Sequence, residues 1–240
     1  MSQLDQARTR RLTVLATPEH ACPYIAGRSA RTTFIEPGTP LNTALYAELI
    51  EQGFRRSGYY LYRPRCPRCS ACQSLRIPVT QFRARRRHQR CLRCNIDVRL
   101  DSVAPRYRDA HFALYCRYLA ARHPDSSMAN PTPENYQSFL TRSWCNTELL
   151  ELRENNRLLA VAVVDDLGNA LSAVYTFYEP ELPERSLGTL SILRAITETR
   201  RRGYDYLYLG YWIAGCARMW YKSEFRPHEV LTPTGWVSVK

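Results

Sequence analysis

The alternation of apolar and polar positions predicts a chain of mixed strands and helices. Residues 11–16 and 31–36 read as short strands. Leu41, Leu45, Leu49 and Ile50 fall on one face of a helix over Leu41–Gln52, and Gly53 suits a left-handed stop. Strands are expected at 57–63, 74–80 and 95–101, on either side of cysteine-bearing loops. Pro105 fits a helix start, with Tyr107 to Arg122 as the helix. The polar, proline-rich stretch from Pro124 to Pro133 reads as a linker or surface loop.

The second half changes character. Three apolar runs, Glu148–Arg153, Leu158–Asp165 and Ala170–Tyr178, are separated by Asn155-Asn156 and by Asp165-Asp166-Leu167-Gly168, which predicts an antiparallel meander. Leu190, Leu193, Ile196 and Thr197 then share a face of a helix over Leu187–Arg202. Tyr206–Leu209 reads as a buried strand, Ala217–Phe225 as a helix, and 228–239 as a hairpin around Pro233-Thr234-Gly235. Three strands, helix, strand, helix, strand suits an acetyltransferase-like fold. The expected class is α/β (α+β): a small mixed N-terminal domain with Cys-rich basic loops over 1–104, and a GNAT-like domain over 105–240.

Charge sharpens this picture. The 240 residues carry a formal net charge of +12, and residues 52–96 hold 12 arginines with no Asp, Glu or Lys. Like charges in one block repel and must face solvent or a polyanion, and the clustering favours nucleic acid or another polyanion. No apolar run is long enough to span a bilayer, and residues 1–11 lack the apolar core of a signal peptide. A cytoplasmic protein with no membrane partner is expected, in which the nine cysteines are thiols or metal ligands.

Two metal arrangements fit the spacing. Cys69-x-x-Cys72 with Cys91-x-x-Cys94 matches a zinc ribbon, and Cys66, Cys69 and Cys72 with Cys22 as a fourth ligand suits zinc or an iron–sulfur cluster. The alternative is buried free thiols. Cys116, Cys145 and Cys216 are isolated. Acetyltransferases bind a pyrophosphate at the turn before the helix, here Arg185-Ser186-Leu187-Gly188-Thr189-Leu190, where Leu190 is expected to crowd it. Five scattered histidines, with no G-x-S-x-G, H-E-x-x-H or P-loop, argue against a covalent triad or a zinc hydrolase. The aromatic run Tyr204, Tyr206, Tyr208, Tyr211, Trp212 fits core packing or stacking on unpaired bases.

Several segments in order resemble the arginyl-tRNA–protein transferase family. They are Gln52–Gly58, Tyr62-Arg63-Pro64, the Cys66–Cys72 cluster, Arg76–Val79, Ser172–Tyr175 and Ser186–Thr189. Tyr206–Ile213, Met219–Lys222 and Phe225-Arg226-Pro227 continue the match, which spans about residues 22 to 227. The short length resembles the bacterial aspartate/glutamate leucyltransferase branch. The arginyl branch carries a Cys-x-x-Cys near its start, where this chain reads Cys22-Pro23-Tyr24-Ile25.

The resemblance implies transfer of leucine from leucyl-tRNA to proteins with N-terminal Asp or Glu, marking them for degradation. No cofactor is then required, because the aminoacyl ester is already activated and needs positioning and oxyanion stabilisation. Tyr175, Gly188, Tyr208 and Gly210 become candidates for the transfer centre, with no general base identified. Arg56, Arg63 or Arg76 would read the acceptor's carboxylate. Arg83, Arg85, Arg86, Arg87, Arg90 and Arg93 would meet tRNA phosphates. Two other classes stay open: a coenzyme A-dependent N-acetyltransferase, and a non-catalytic zinc-ribbon RNA-binding protein.

Overall fold

The computed structural model describes residues 11–126 and 128–240. The N-terminal stretch read above for a signal peptide lies outside them but for Arg11. In chain order, the first half holds β1 (Val14–Ala16), β2 (His20–Ala21), β3 (Ser29–Ala30), β4 (Thr32–Ile35), α1 (Thr43–Glu51), β5 (Arg55–Ser57), β6 (Tyr60–Pro64), β7 (Gln73–Pro78), α2 (Arg86–Arg93) and β8 (Val98–Val103). The second half holds α3 (Asp109–Arg122), α4 (Pro133–Tyr136), β9 (Thr147–Glu154), β10 (Arg157–Asp166), β11 (Ala170–Tyr178), α5 (Leu187–Arg201), β12 (Tyr206–Trp212), β13 (His228–Thr232) and β14 (Gly235–Val239).

Most expected elements stand within a few residues of their predicted limits. Asn42 caps α1 by accepting the Leu45 amide at 2.8 Å, and Gly53 follows at φ +86°. A Cβ at Gly53 would lie 2.9 Å from a Leu231 methyl, and the positive φ strains any other residue there. The strand expected at 57–63 is a hairpin, because Gly58 turns the chain at φ +56°. The helix expected over 217–225 is a 3-10 turn from Trp220 to Glu224.

An eight-stranded sheet dominates, in the order β14-β13-β7-β12-β11-β10-β9-β8. It takes β7 and β8 from the first 104 residues, so the halves of the chain share one sheet. Successive residues of β10 face opposite ways, as a pleated strand requires. Ala160, Ala162 and Val164 pack with Leu190, Leu193 and Ile196 of α5, while Val161 and Val163 pack with Leu114, Tyr115 and Leu119 of α3. A four-stranded sheet, β1-β4-β6-β5, is fastened to the large one through a third core. That core joins Leu45, Tyr46 and Leu49 of α1 to Leu61, Ala170 and Tyr208.

Arg56 locks the two sheets together. Its Nε and Nη2 donate to Asp165 at 2.7 and 2.8 Å, and both side chains have no exposed surface. Thr147 also donates to the Asp165 carboxylate at 2.7 Å. Arg76 closes the opposite side. Its guanidinium lies over the Tyr206 and Trp236 rings at 3.7 and 4.1 Å, and pairs at 2.7 Å with both Glu51 and Glu229. Arg76→Ala is expected to lower stability by about 2 kcal/mol, read from the urea midpoint. A shift below about 0.5 kcal/mol would remove Arg76 from the fastening.

Candidate active site

β11 and β12 pair in parallel only over Ala170–Ser172 with Tyr206–Tyr208, then separate. The sheet opens there into a cleft of about 520 Å³. Tyr175 and Tyr178 of β11 line it on one side, Tyr118 and Arg122 of α3 stand at another, and the start of α5 forms a wall at Ser186–Thr189. Ser186 takes φ +49° and its side chain caps nothing, so the first-turn amides of α5 stay uncapped at this wall. Tyr221 and Lys222, on the 3-10 turn after β12, complete the lining.

Gly188 admits the Tyr178 ring, since a Cβ there would sit 3.1 Å from the ring edge. That ring, and not Leu190, lines the cleft beside this turn. Leu190 is fully buried in the core, which corrects its expected role as the crowding residue. Tyr175 is pushed well above the ordinary phenol range by burial, so its hydroxyl stays a donor at neutral pH.

Two cations sit at the fork. Arg55 Nη2 donates to the Ala173 carbonyl, the first beyond the paired segment of β11. Lys222 Nζ donates to the Tyr211 carbonyl on β12 at 2.7 Å. Gly210, at φ +82°, lies between them: a Cβ there would be 3.5 Å from Arg55 Nη2 and 3.6 Å from Lys222 Nζ. Burial, and then the neighbouring Arg55 charge, pushes the Lys222 amine down to about 7. Among the described residues, neither cation forms an ion pair with a carboxylate.

A basic helix stands beside the cleft. Residues 86–93, expected as part of a loop region, form α2, with Arg86, Arg90 and Arg93 exposed. Its buried face is small. Cys91 Sγ donates to the carbonyls of Arg185 and Ser186 at 3.9 and 3.8 Å, and the His88 ring stacks on Phe225 at 4.9 Å. Burial, aided by Arg87 and Arg85, pushes His88 down to about 4, so it docks as a neutral ring. α2 is thereby fixed both to the start of α5 and to the turn bearing Lys222. A second cavity of about 300 Å³ shares Ser186, Thr189 and Tyr221 with the cleft and reaches Arg87 and Arg90. Two cavities with a shared wall thus lie between the fork and the basic helix.

The candidates from sequence are distributed unevenly about this site. Tyr175 and Gly188 line the cleft and Gly210 lies at the fork, whereas Tyr208 is on the other face, bonded to Glu51 and Arg76. Arg56 and Arg76 are taken by internal carboxylates. Arg63 donates to the Gln52 carbonyl at 2.6 Å and lies over Phe54. Of the arginines expected to meet phosphate, Arg83 bonds the Thr80 and Phe82 carbonyls, Arg85 precedes α2, and Arg87 pairs with Glu224. Arg55 and Lys222 lay inside the quoted segments without a role. A signal was present in the sequence: Lys222 is one of two lysines in a chain that otherwise uses arginine. The run from Tyr204 to Trp212 packs largely in the cores, and the cleft draws its aromatics from Tyr118, Tyr175, Tyr178 and Tyr221 instead.

The thiols converge without making a ligand set. Cys66 and Cys69 face each other across a single bridge. Burial first, then the nearby Cys66, Cys22, Cys69 and Cys216, pushes Cys72 up to about 11. Cys66 Sγ accepts the Arg31 amide at 3.4 Å and Cys69 Sγ accepts from Arg28 at 3.5 Å. Among the described residues, no group of three or more Cys, His, Asp or Glu is arranged to hold a metal ion. The ribbon pairing fails on placement, since Cys91 is buried against α5. No step of the chemistry below is routed through these thiols.

Comparison with known proteins places the chain. A model for the arginine-tRNA-protein transferase N terminus matches residues 20–90, and one for its C terminus matches residues 110–232. The aspartate/glutamate leucyltransferase of Alkalilimnicola ehrlichii is 55% identical over 96% of this chain and 97% of its own. That of Halorhodospira halophila is 53% identical over 94% and 97%. Among solved structures, FemX superposes with a TM-score of 0.52 at 8% identity, covering 92% of this chain and 85% of that one, a likeness of fold alone. With both halves of the chain matched in order and relatives 53–55% identical over nearly its whole length, this protein belongs to the arginine-tRNA-protein transferase family.

Proposed function

We propose that the protein transfers leucine from leucyl-tRNA to the α-amine of proteins beginning with Asp or Glu, marking them for degradation, and that it works in the cytoplasm. The observation that carries this reading is the series of cavities with shared walls that lies between the fork of β11 and β12 and the exposed arginines of α2. In this reading the phosphates of the tRNA acceptor end lie along α2, and the terminal adenosine stacks among Tyr118, Tyr178 and Tyr221. Leu182 and Ile192 offer an apolar wall for the leucyl side chain. The same names among relatives, at 55% and 53% identity, support the choice of leucine and of acidic acceptors.

The reaction joins the acceptor nitrogen to the leucyl carbonyl carbon and breaks the ester bond to the tRNA ribose oxygen. The acceptor ammonium loses one proton before attack and a second as the amide forms. The ribose oxygen takes one of them and leaves as a hydroxyl. Since an α-ammonium has a pKa of about 7.7–8.0, roughly a tenth to a sixth of the amine is already free at pH 7, and no strong base is needed to supply it. The ester is activated, so holding the two substrates together at the fork supplies most of what the reaction needs. The Tyr175 hydroxyl serves as a donor to the carbonyl oxygen as negative charge develops there.

The test offers purified protein a mixture of aminoacylated tRNAs, or acetyl-CoA, with peptides of varied first residue, and reads mass gain. A gain of one leucyl residue on Asp and Glu peptides, with little on Ala or Lys peptides, is expected. Acetylation without leucylation would favour the coenzyme A-dependent reading and sink this one.

A further inference from the structure

The mechanism above leaves the two cations at the fork without a task. Arg55 is 5% exposed, and its Nη1 is shielded from water with no hydrogen-bond partner. Its Nη2 is committed to Ala173 and its neighbour is a second cation, held over the same glycine. Buried positive groups ordinarily sit beside a carboxylate, because desolvation penalises an unpaired charge heavily. Arg56, the next residue, follows that rule with Asp165. Arg55 and Lys222 break it together, at the point where the strands part.

We propose that Arg55 and Lys222 form the seat for the side-chain carboxylate of the acceptor's first residue. This deepens the reading of the site as a leucyltransferase and rests on it. Three features of the place carry the assignment. Lys222 lines the cleft while Arg55, beside the same glycine, is buried, so the cleft gives access to the seat. Glycine at 210 keeps the space between the two cations free of a side chain, and its φ of +82° disfavours any other residue. The burial of Arg55 suits a short side chain. A phosphodiester belongs to a bulky polymer and finds exposed arginines on α2, whereas a carboxylate on one or two methylenes is small enough to enter the cleft.

A guanidinium and an ammonium side by side also discriminate. A carboxylate can accept from both groups through its two oxygens, while the isosteric amide presents one oxygen and one nitrogen and leaves a cation unpaired. The Lys222 amine, lowered to about 7 with the seat unfilled, would gain its proton as an anion enters.

The test measures binding by calorimetry with two pentapeptides that differ only in an N-terminal Asp or Asn, on wild type, Lys222→Gln and Arg55→Lys. Wild type is expected to favour Asp by at least about tenfold. Each variant should lose most of that preference while its affinity for the Asn peptide stays within about twofold. Arg55 also bonds the backbone, so circular dichroism must show each variant folded, and where Arg55→Lys does not fold, Lys222→Gln decides alone. Equal wild-type affinity for the two peptides overturns the proposal. So does an Asp preference that survives in folded Lys222→Gln. Lost tRNA affinity in that variant with the Asp preference intact would assign the seat to RNA phosphate instead. Leucine transfer is assayed on the same preparations. A wild type that reads Asp over Asn but transfers no leucine would sink the parent reading and leave the seat standing.

Discussion

Arg56→Ala is expected to cost about 3–5 kcal/mol of folding stability, a large part of a margin that is commonly about 5–15 kcal/mol. The guanidinium makes two short bonds to Asp165, a third to the Gly58 carbonyl at 3.0 Å and a longer one to Thr147 at 3.4 Å, all without exposed side-chain surface. Removing it strands a carboxylate between two sheets, where water cannot follow without opening the third core. The penalty is that uncompensated charge rather than the net strength of the pair. For the same reason Arg56→Met combined with Asp165→Leu should recover most of the loss, since an apolar pair leaves no buried charge. Urea denaturation of the three variants measures this, as a lower midpoint at unchanged slope. A single-variant loss below about 1 kcal/mol would mean that the sheets are held elsewhere. Activity assays cannot stand in for the measurement, because β5 also carries Arg55 and any shift of that strand disturbs the fork.

The same residue shows where sequence reading stops. The apolar run from Leu158 to Val164 stands between two turn signals, and that pattern predicts the meander that frames the cleft. Periodicity reports which face a residue points to, and it says nothing about partners distant in sequence. Arg56 and Asp165 are 109 residues apart, so an arginine in a basic block looked free to meet a ligand. Arg76 misleads in the same way, since Glu51 and Glu229 reach it from α1 and β13. The strand expected at 74–80 is present as β7, and nothing in its pattern announces the two carboxylates that engage Arg76.

Helix α2 was hidden by composition. Its buried face is His88 and Cys91, one turn apart, and neither registers as apolar in a scan for leucines and valines. The helix is held by a ring stack and by thiol contacts to the start of α5, and a helix with eight residues and several like charges has little stability of its own. The fork escaped for another reason. A strand pair that parts after three residues leaves no trace in hydrophobic pattern, and both Gly210 and Lys222 acquire meaning only from the carbonyls and cations that surround them. The visible clue was Lys222 itself, one of two lysines in an arginine-rich chain. An ammonium is a compact charge whose proton affinity shifts readily on burial, which a guanidinium does not allow.

Changing Arg86, Arg90 and Arg93 to Ala together should weaken tRNA binding about a hundredfold near 0.15 M salt while leaving the fold intact. The three side chains are exposed, stand on one short helix and form no ion pair among the described residues. Arg87 is left in place because Glu224 already engages it. Each phosphate contact releases counterions and adds about 0.7–0.9 to the slope of log affinity against log salt. Three lost contacts therefore reduce that slope by about 2–3, and lines that meet near 1 M salt lie about two decades apart at 0.15 M. Stability should change by less than about 0.5 kcal/mol, since exposed like charges contribute little and alanine favours the helix. The experiment titrates tRNA binding from low to high salt for wild type and triple variant. Parallel lines, with affinity lowered equally at every salt concentration, would show that these arginines act on something other than phosphate. A loss confined to leucine transfer, with the slope unchanged, would move the RNA away from α2 and leave the cleft to be entered from another side.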